Sequence, residues 1–183
     1  MSKITFFVLI LGLILQGCTT ENQDIKQLTK KELDQLMIDS QRAYIKKEDK
    51  MMDNYTQRQN WNNTIISSTG IRYTIYHQGV GESFNEIKKK TGNKPIQVAI
   101  KYQSYLLDST ICYSATIDQP YIFTVGESKA ISGLHELITY LSEGDKVKAL
   151  IPPRLAFGLA GDLKKVPPNS PVVYDLELLQ WNY

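Results

Sequence analysis

Residues 125–158 read VGESKAISGLHELITYLSEGDKVKALIPPRLAFG. Leu134, Leu137, Ile138 and Leu141 stand at i, i+3, i+4 and i+7, a spacing that gathers apolar side chains on one side of a helix. Gly144 is the expected stop for a helix of about three turns. KVKALI then alternates as a strand does, until Pro152 and Pro153 end it, because proline has no amide hydrogen for a ladder. A small Ala156, an aromatic Phe157 and a permissive Gly158 follow. The strand therefore empties into a stiff apolar loop instead of a polar turn.

The flanking sequence is β-like. In STGIRYTIYHQGVG, Ile71, Tyr73 and Ile75 alternate with Arg72, Thr74 and Tyr76 before a turn at Gly79 and Gly81. IQVAIKYQSYLL, residues 96–107, is a longer strand with Val98, Ile100, Tyr102, Ser104 and Leu106 on one face. YIFTVG after Pro120 and PVVYDLELLQW near the C-terminal end complete the set. ESFNEIKKKTGNKP, residues 82–95, reads as a loop, ordered or mobile, with Lys88, Lys89 and Lys90 solvated. The expected class is α+β: an antiparallel sheet with one short helix covering a face.

Upstream the composition changes. No proline precedes Pro95, and no glycine stands between Cys18 and Gly70. Thr29 and Glu32 are spaced as a capping box. Leu33, Leu36, Met37, Tyr44, Met51 and Tyr55 make an apolar stripe interrupted by Ser40 and Lys47. About residues 29–60 read as one long helix or two shorter ones: a spacer, a helix packed on the domain, or an arm for dimerisation or partner binding.

The first 18 residues, MSKITFFVLILGLILQGC, read as an address. A basic start and a 12-residue apolar run from Ile4 to Leu15 suit a signal-peptide core but fall short of the ~20 residues needed for a membrane-spanning helix. Leu15-Gln16-Gly17-Cys18 resembles a bacterial lipobox, in which cleavage precedes the cysteine and the cysteine carries the lipid. Thr19 is not the aspartate that retains lipoproteins in the inner membrane. The expectation is a lipid-anchored protein of the bacterial outer membrane, its folded part facing the periplasm. With Cys18 acylated, Cys112 has no partner and is expected buried and reduced.

A net charge of +2, from 21 basic and 19 acidic side chains, argues against a dedicated nucleic-acid binder. Two distant cysteines and two histidines, His77 and His135, argue against zinc; the histidines are expected on a strand face and a helix surface. No G-x-S-x-G or protease-like cysteine–histidine order is present.

In order and spacing, these elements resemble the FKBP-type peptidyl-prolyl isomerases over about residues 66–183. SSTGIRYTIYHQGVG is similar to the family's first strand, the stretch quoted at the outset to its helix, turn and loop, and VPPNSPVVYDLELL to its closing strand. The resemblance implies an antiparallel twisted β-sheet wrapped around one short α-helix. It divides the chain into a lipoprotein signal peptide at 1–17, a lipid-attached helical arm at 18–65 and the isomerase domain at 66–183. Lipobox, arm and domain together look most like the FKBP-type lipoproteins associated with gliding motility in some bacteria.

By resemblance, the pocket takes Tyr102, Tyr121, Ala130, Ile131, Leu134 as its floor, Phe157, Val166 and Tyr174, with the Ile131 N–H donating to a substrate carbonyl. No cofactor or metal is implied, and the clients would be proline-containing polypeptides. The match departs at LLDSTICYSA, residues 106–115: Ser109 replaces a turn glycine, Cys112 a phenylalanine and Tyr113 the family's charged pocket aspartate. Losing a charged orienting group could remove about 1–3 kcal/mol of transition-state stabilisation, roughly one to two orders of magnitude in rate. The expectation is weak to moderate isomerase activity; a non-catalytic binding module is the alternative.

Overall fold

The capping box forms as expected: the Thr29 amide donates to Glu32 Oε2 at 2.9 Å and the Glu32 amide to Thr29 Oγ1 at 3.3 Å. They open one unbroken 29-residue helix, α1, Lys30–Arg58. The computed structural model describes residues 29–127 and 129–182, so the signal-peptide stretch and Cys18 lie outside the described residues. Two units meet within α1, Met1–Ser40 and Gln41–Tyr183. In the first, Leu33, Leu36, Met37 and Ile38 are exposed.

The second unit holds the sheet. Its elements are β1 (Ile65–Ile66), β2 (Arg72–His77), α2 (Phe84–Thr91), β3 (Gln97–Tyr105), β4 (Ile111–Ala115), β5 (Tyr121–Thr124), α3 (Ser132–Ile138), β6 (Lys146–Ile151) and β7 (Val172–Asn182). A 3₁₀ turn, Pro153–Leu155, follows β6 directly. All pairings are antiparallel, in the order β1-β2-β6-β7-β3-β4. β5 shares the outer edge of β3, pairing with its first half while β4 pairs with its second.

One face of the sheet packs on α3. Leu134, Leu137, Ile138 and Leu141 are all buried among Val98, Ile100, Ile151, Leu176 and Leu178. The helix is shorter than its sequence suggests: it ends at Ile138 with Thr139 as C-cap, and Gly144 serves the turn into β6. A tight Thr139–Leu141 return lets Leu141 complete the stripe from outside the helix.

One sequence expectation needs correction. Residues 82–95 contain a helix, α2, so the domain carries more than one. The Ser83 hydroxyl and Glu86 carboxylate cap it reciprocally, and Ile87 is buried beneath it. Lys88, Lys89 and Lys90 are solvated, as expected, but on the last turn of this helix. Arg72 and Thr74, which alternate with the apolar residues of β2, are buried too.

The cover on that second face is α1. Its Met52 and Tyr55 pack with Leu150 and Val173, the outward residues of β6 and β7. Arg72 reaches Asp49 at 2.8 Å and Asp53 at 2.9 Å on the helix. From Gln41 onward, then, the arm belongs to the sheet's own unit.

Candidate functional site

β6 and β7 pair to their very ends, with Ile151 opposite Val172, so residues 152–171 form a loop pinned at both feet. The prolines set its start. Both are buried, and carbonyls in this turn accept from three amides: Leu155 to Pro152 at 2.9 Å, Ala156 and Gly158 to Pro153 at 3.0 and 2.8 Å. Gly158, at φ +65°, turns the chain sharply after Phe157. The Asn169 amide then donates to the Gly158 carbonyl at 3.0 Å, closing the loop on itself.

Phe157 stays partly exposed while packing against the central core. The other residues singled out by the resemblance join the same cluster from five elements and two loops. Leu134 from α3, Tyr174 from β7, Cys112 from β4 and Val166 from the loop are buried and form its base. Tyr102, Tyr113, Tyr121, Ala130 and Ile131, like Phe157, are half-buried and pack against this core. Ala130 and Ile131 precede α3 instead of lying in it; Ile131 is its N-cap. The Ile131 carbonyl takes the amides of Leu134 and His135 at 3.0 and 3.3 Å, and among the described residues nothing accepts from its N–H.

The rings are ordered by one another. Tyr102 lies 5.3 Å from Tyr174 and meets Tyr121 edge-on at 5.9 Å. Behind Tyr121 stands Phe123 at 5.4 Å, itself met edge-on by His135 at 5.2 Å. The Tyr121 hydroxyl donates to the Lys129 carbonyl at 2.6 Å. Burial pushes the phenols of Tyr102, Tyr121 and, furthest, Tyr174 upward, so they remain neutral. A neutral aromatic wall grips apolar rings and excludes water.

Tyr113 does not simply leave the site without a carboxylate. Its hydroxyl donates to Asp162 Oδ2 on the loop. Asp162 Oδ1 accepts the amides of Lys164, Lys165 and Val166 at 2.8–2.9 Å. Burial pushes the Asp162 carboxyl up, but the Tyr113 hydroxyl and these amides outweigh it and hold the group at about 2. The same bond, then burial, raises Tyr113 to about 12. Lys165 donates to the Cys112 carbonyl at 2.7 Å and lies 5.2 Å over the Tyr113 ring, so β4 and the loop are tied twice. Asp162 escaped the sequence reading because 49 positions separate it from Tyr113; GD before KKV reads only as a turn.

Ser109 sits at φ +72°, the left-handed conformation that suits the glycine it replaces. Cys112 is buried and free, as expected, and burial raises its thiol pKa. His77 is exposed at the end of β2. His135, expected on a helix surface, is half-buried, its Nδ1 accepting from the Gly126 amide at 3.1 Å. Among the described residues, no group of three or more His, Cys, Asp or Glu could hold a metal.

Comparison with known proteins places this arrangement. A family model described as FKBP-type peptidyl-prolyl cis-trans isomerase matches residues 88–179. The FKBP-type peptidyl-prolyl cis-trans isomerase FkpA of Escherichia coli (strain K12) is 34% identical over 114 residues, 62% of this chain but only 38% of FkpA's length. Peptidyl-prolyl cis-trans isomerase Fkbp12 of Drosophila melanogaster is 35% identical over 92 residues, half of this chain and 82% of its own. The crystal structure of FkpA from Escherichia coli superimposes with a TM-score of 0.59 at 26% identity, covering 85% of this chain and 74% of that one. The chain belongs to the FKBP-type peptidyl-prolyl cis-trans isomerase family.

Proposed function

We propose that the protein is a working peptidyl-prolyl cis-trans isomerase of the cell envelope. The observation that carries this reading is the ring cluster of Tyr102, Tyr121 and Tyr174, part of a core against which Phe157 and Ile131 also pack. Rotation about an Xaa–Pro bond must cross roughly 18–20 kcal/mol, and no covalent bond is broken. Water stabilises the planar, charge-separated amide more than the twisted one. Moving the bond against apolar rings therefore lowers the barrier without a nucleophile or a cofactor. The Ile131 N–H is positioned to hold the carbonyl of the bound segment, and Phe157 packs against the proline ring.

The lipobox supports anchorage through lipid on Cys18, and exported polypeptides with slow Xaa–Pro steps are then the natural clients. The layout of lipobox, arm and domain supports a narrower role with gliding-motility proteins in the bacterial outer membrane, the domain facing the periplasm. A homodimer through the exposed stripe Leu33, Leu36 and Met37 fits the same layout.

Exchange spectroscopy on a short Xaa-Pro peptide tests the catalytic reading. Acceleration over the uncatalysed rate is expected, falling at least tenfold in Phe157→Ala. A folded protein that accelerates nothing sinks it. The second reading, a binding module without catalysis, is favoured by Tyr113 occupying the place of the family's aspartate. Binding of the peptide without acceleration would establish that reading.

A further inference from the structure

We propose that the helical arm is a working part of the site: Tyr44 and Glu48 of α1 hold the two ends of the loop that carries Phe157, and so position the pocket wall. The inference extends the isomerase reading and rests on it for its catalytic consequence only.

The contacts lie one helical turn apart on the arm and bracket Phe157 on the loop. Glu48 Oε2 accepts from Arg154 Nη1 at 2.8 Å, and Arg154 stands in the 3₁₀ turn three residues before Phe157. The Tyr44 hydroxyl donates to Asn169 Oδ1, and the Asn169 amide is the one that closes the loop onto Gly158. The arm thus grips the loop on both sides of Phe157.

The chemistry of the first grip argues for positioning over simple stability. Glu48 is only 4% exposed; its other oxygen, Oε1, makes no close hydrogen bond, though the Tyr44 hydroxyl one turn back lies near enough to feel the carboxylate. A buried carboxylate satisfied on one side is a poor way to glue a helix to a sheet; an apolar residue of similar volume would serve as well or better. Met52 and Tyr55, one and two turns on, already do that work. Arg154 is also held from a second direction: its Nη2 donates to the Thr69 carbonyl at 2.6 Å, and Gly70 leaves room for the guanidinium, since a Cβ there would lie 2.5 Å from Nη2. Thr69 in turn donates from its hydroxyl to Glu136 of α3 at 2.7 Å. One chain of polar contacts runs from the arm through the loop to the helix that carries Leu134. Each grip adds a constraint from the arm to a loop otherwise tied to β4, α3 and itself.

The test compares three full-length proteins: wild type, Tyr44→Phe/Glu48→Ala, and Asp53→Ala. The last removes an arm contact, to Arg72, that does not touch the loop. Deuterium uptake of residues 152–171 is measured with that of 44–58, beside kcat and KM for peptide isomerisation. In the double variant, loop exchange is expected to quicken roughly tenfold and kcat to fall several-fold with KM less affected. Asp53→Ala should leave loop exchange and kcat near wild type. Unchanged loop exchange in the double variant overturns the proposal, as does equal loosening in Asp53→Ala, which would reduce the arm to general support. The exchange readout needs no catalysis: a wild type that fails to isomerise refutes the proposed function and leaves the positioning result to stand or fall alone.

Discussion

At the scale of single residues, the Tyr113–Asp162 pair changes what the replaced aspartate means. Here the phenol on β4 meets the carboxylate instead, and the carboxylate comes from the loop. Asp162's pKa is depressed from 3.8 to about 2, so its contribution to stability is present above about pH 4 and lost as pH falls through 2. Tyr113's is raised from 10 to about 12, so its contribution is present below pH 10 and lost as pH rises through 12. Carbon NMR of the tyrosine ζ carbons should follow Tyr113 titrating near 12, moving back toward 10 in Asp162→Asn. A Tyr113 that titrates identically in both proteins would remove the bond from the account. Restoring the family's aspartate by Tyr113→Asp alone would break the tie and leave a second carboxylate in the neighbourhood of Asp162. A gain in isomerase rate is therefore expected only when Asp162→Asn accompanies it.

Among the elements, α3 decides how close the pocket floor comes to its wall. Gly133 faces the start of the loop: a Cβ there would stand 2.4 Å from Ile151 Cγ2 and 3.0 Å from the Leu155 carbonyl oxygen. The short helix can lie against β6 and the 3₁₀ turn only because that side chain is missing, and the Ser132 hydroxyl then donates to the same carbonyl at 3.2 Å. Gly133→Ala should lower unfolding free energy by about 1–3 kcal/mol, seen as a reduced denaturant midpoint, and should perturb the Leu155–Phe157 amides. Full stability with unmoved amides would mean the helix has slack that the packing does not suggest.

Over the whole molecule, the sheet of the second unit is a layer covered twice, by α3 on one face and α1 on the other. This explains why Leu150 and Val173, on the opposite side of the strands from the main core, are fully buried. Met52 is the largest apolar contribution from the arm with no exposure at all. Met52→Ala should cost about 2–5 kcal/mol in thermal or chemical unfolding, the range for emptying a packed core site. A loss under 1 kcal/mol would mean the arm leaves the sheet at little cost.

Much of this was open to reading along the chain, because its causes are local. The capping box at Thr29, the stripe on α3, the strand alternation and the proline stop at 152 depend on neighbours within a few residues, so the α+β class and the isomerase resemblance followed from them. That Tyr102, Tyr121, Tyr174 and Phe157 join one core cluster is a packing result; the resemblance supplied their names through order and spacing. Local rules misled at α2, where a polar stretch with one buried side, Ile87, passed for a loop. Nor could alternation reveal that Arg72 is paired, since its two aspartate partners lie 19 and 23 residues upstream. Tertiary structure alone decided that the arm closes the second face, that Asp162 answers Tyr113, and that Glu48 and Tyr44 reach the loop. Each of those contacts joins side chains from distant parts of the chain, and burial and hydrogen bonding act through space, which the order of residues does not display.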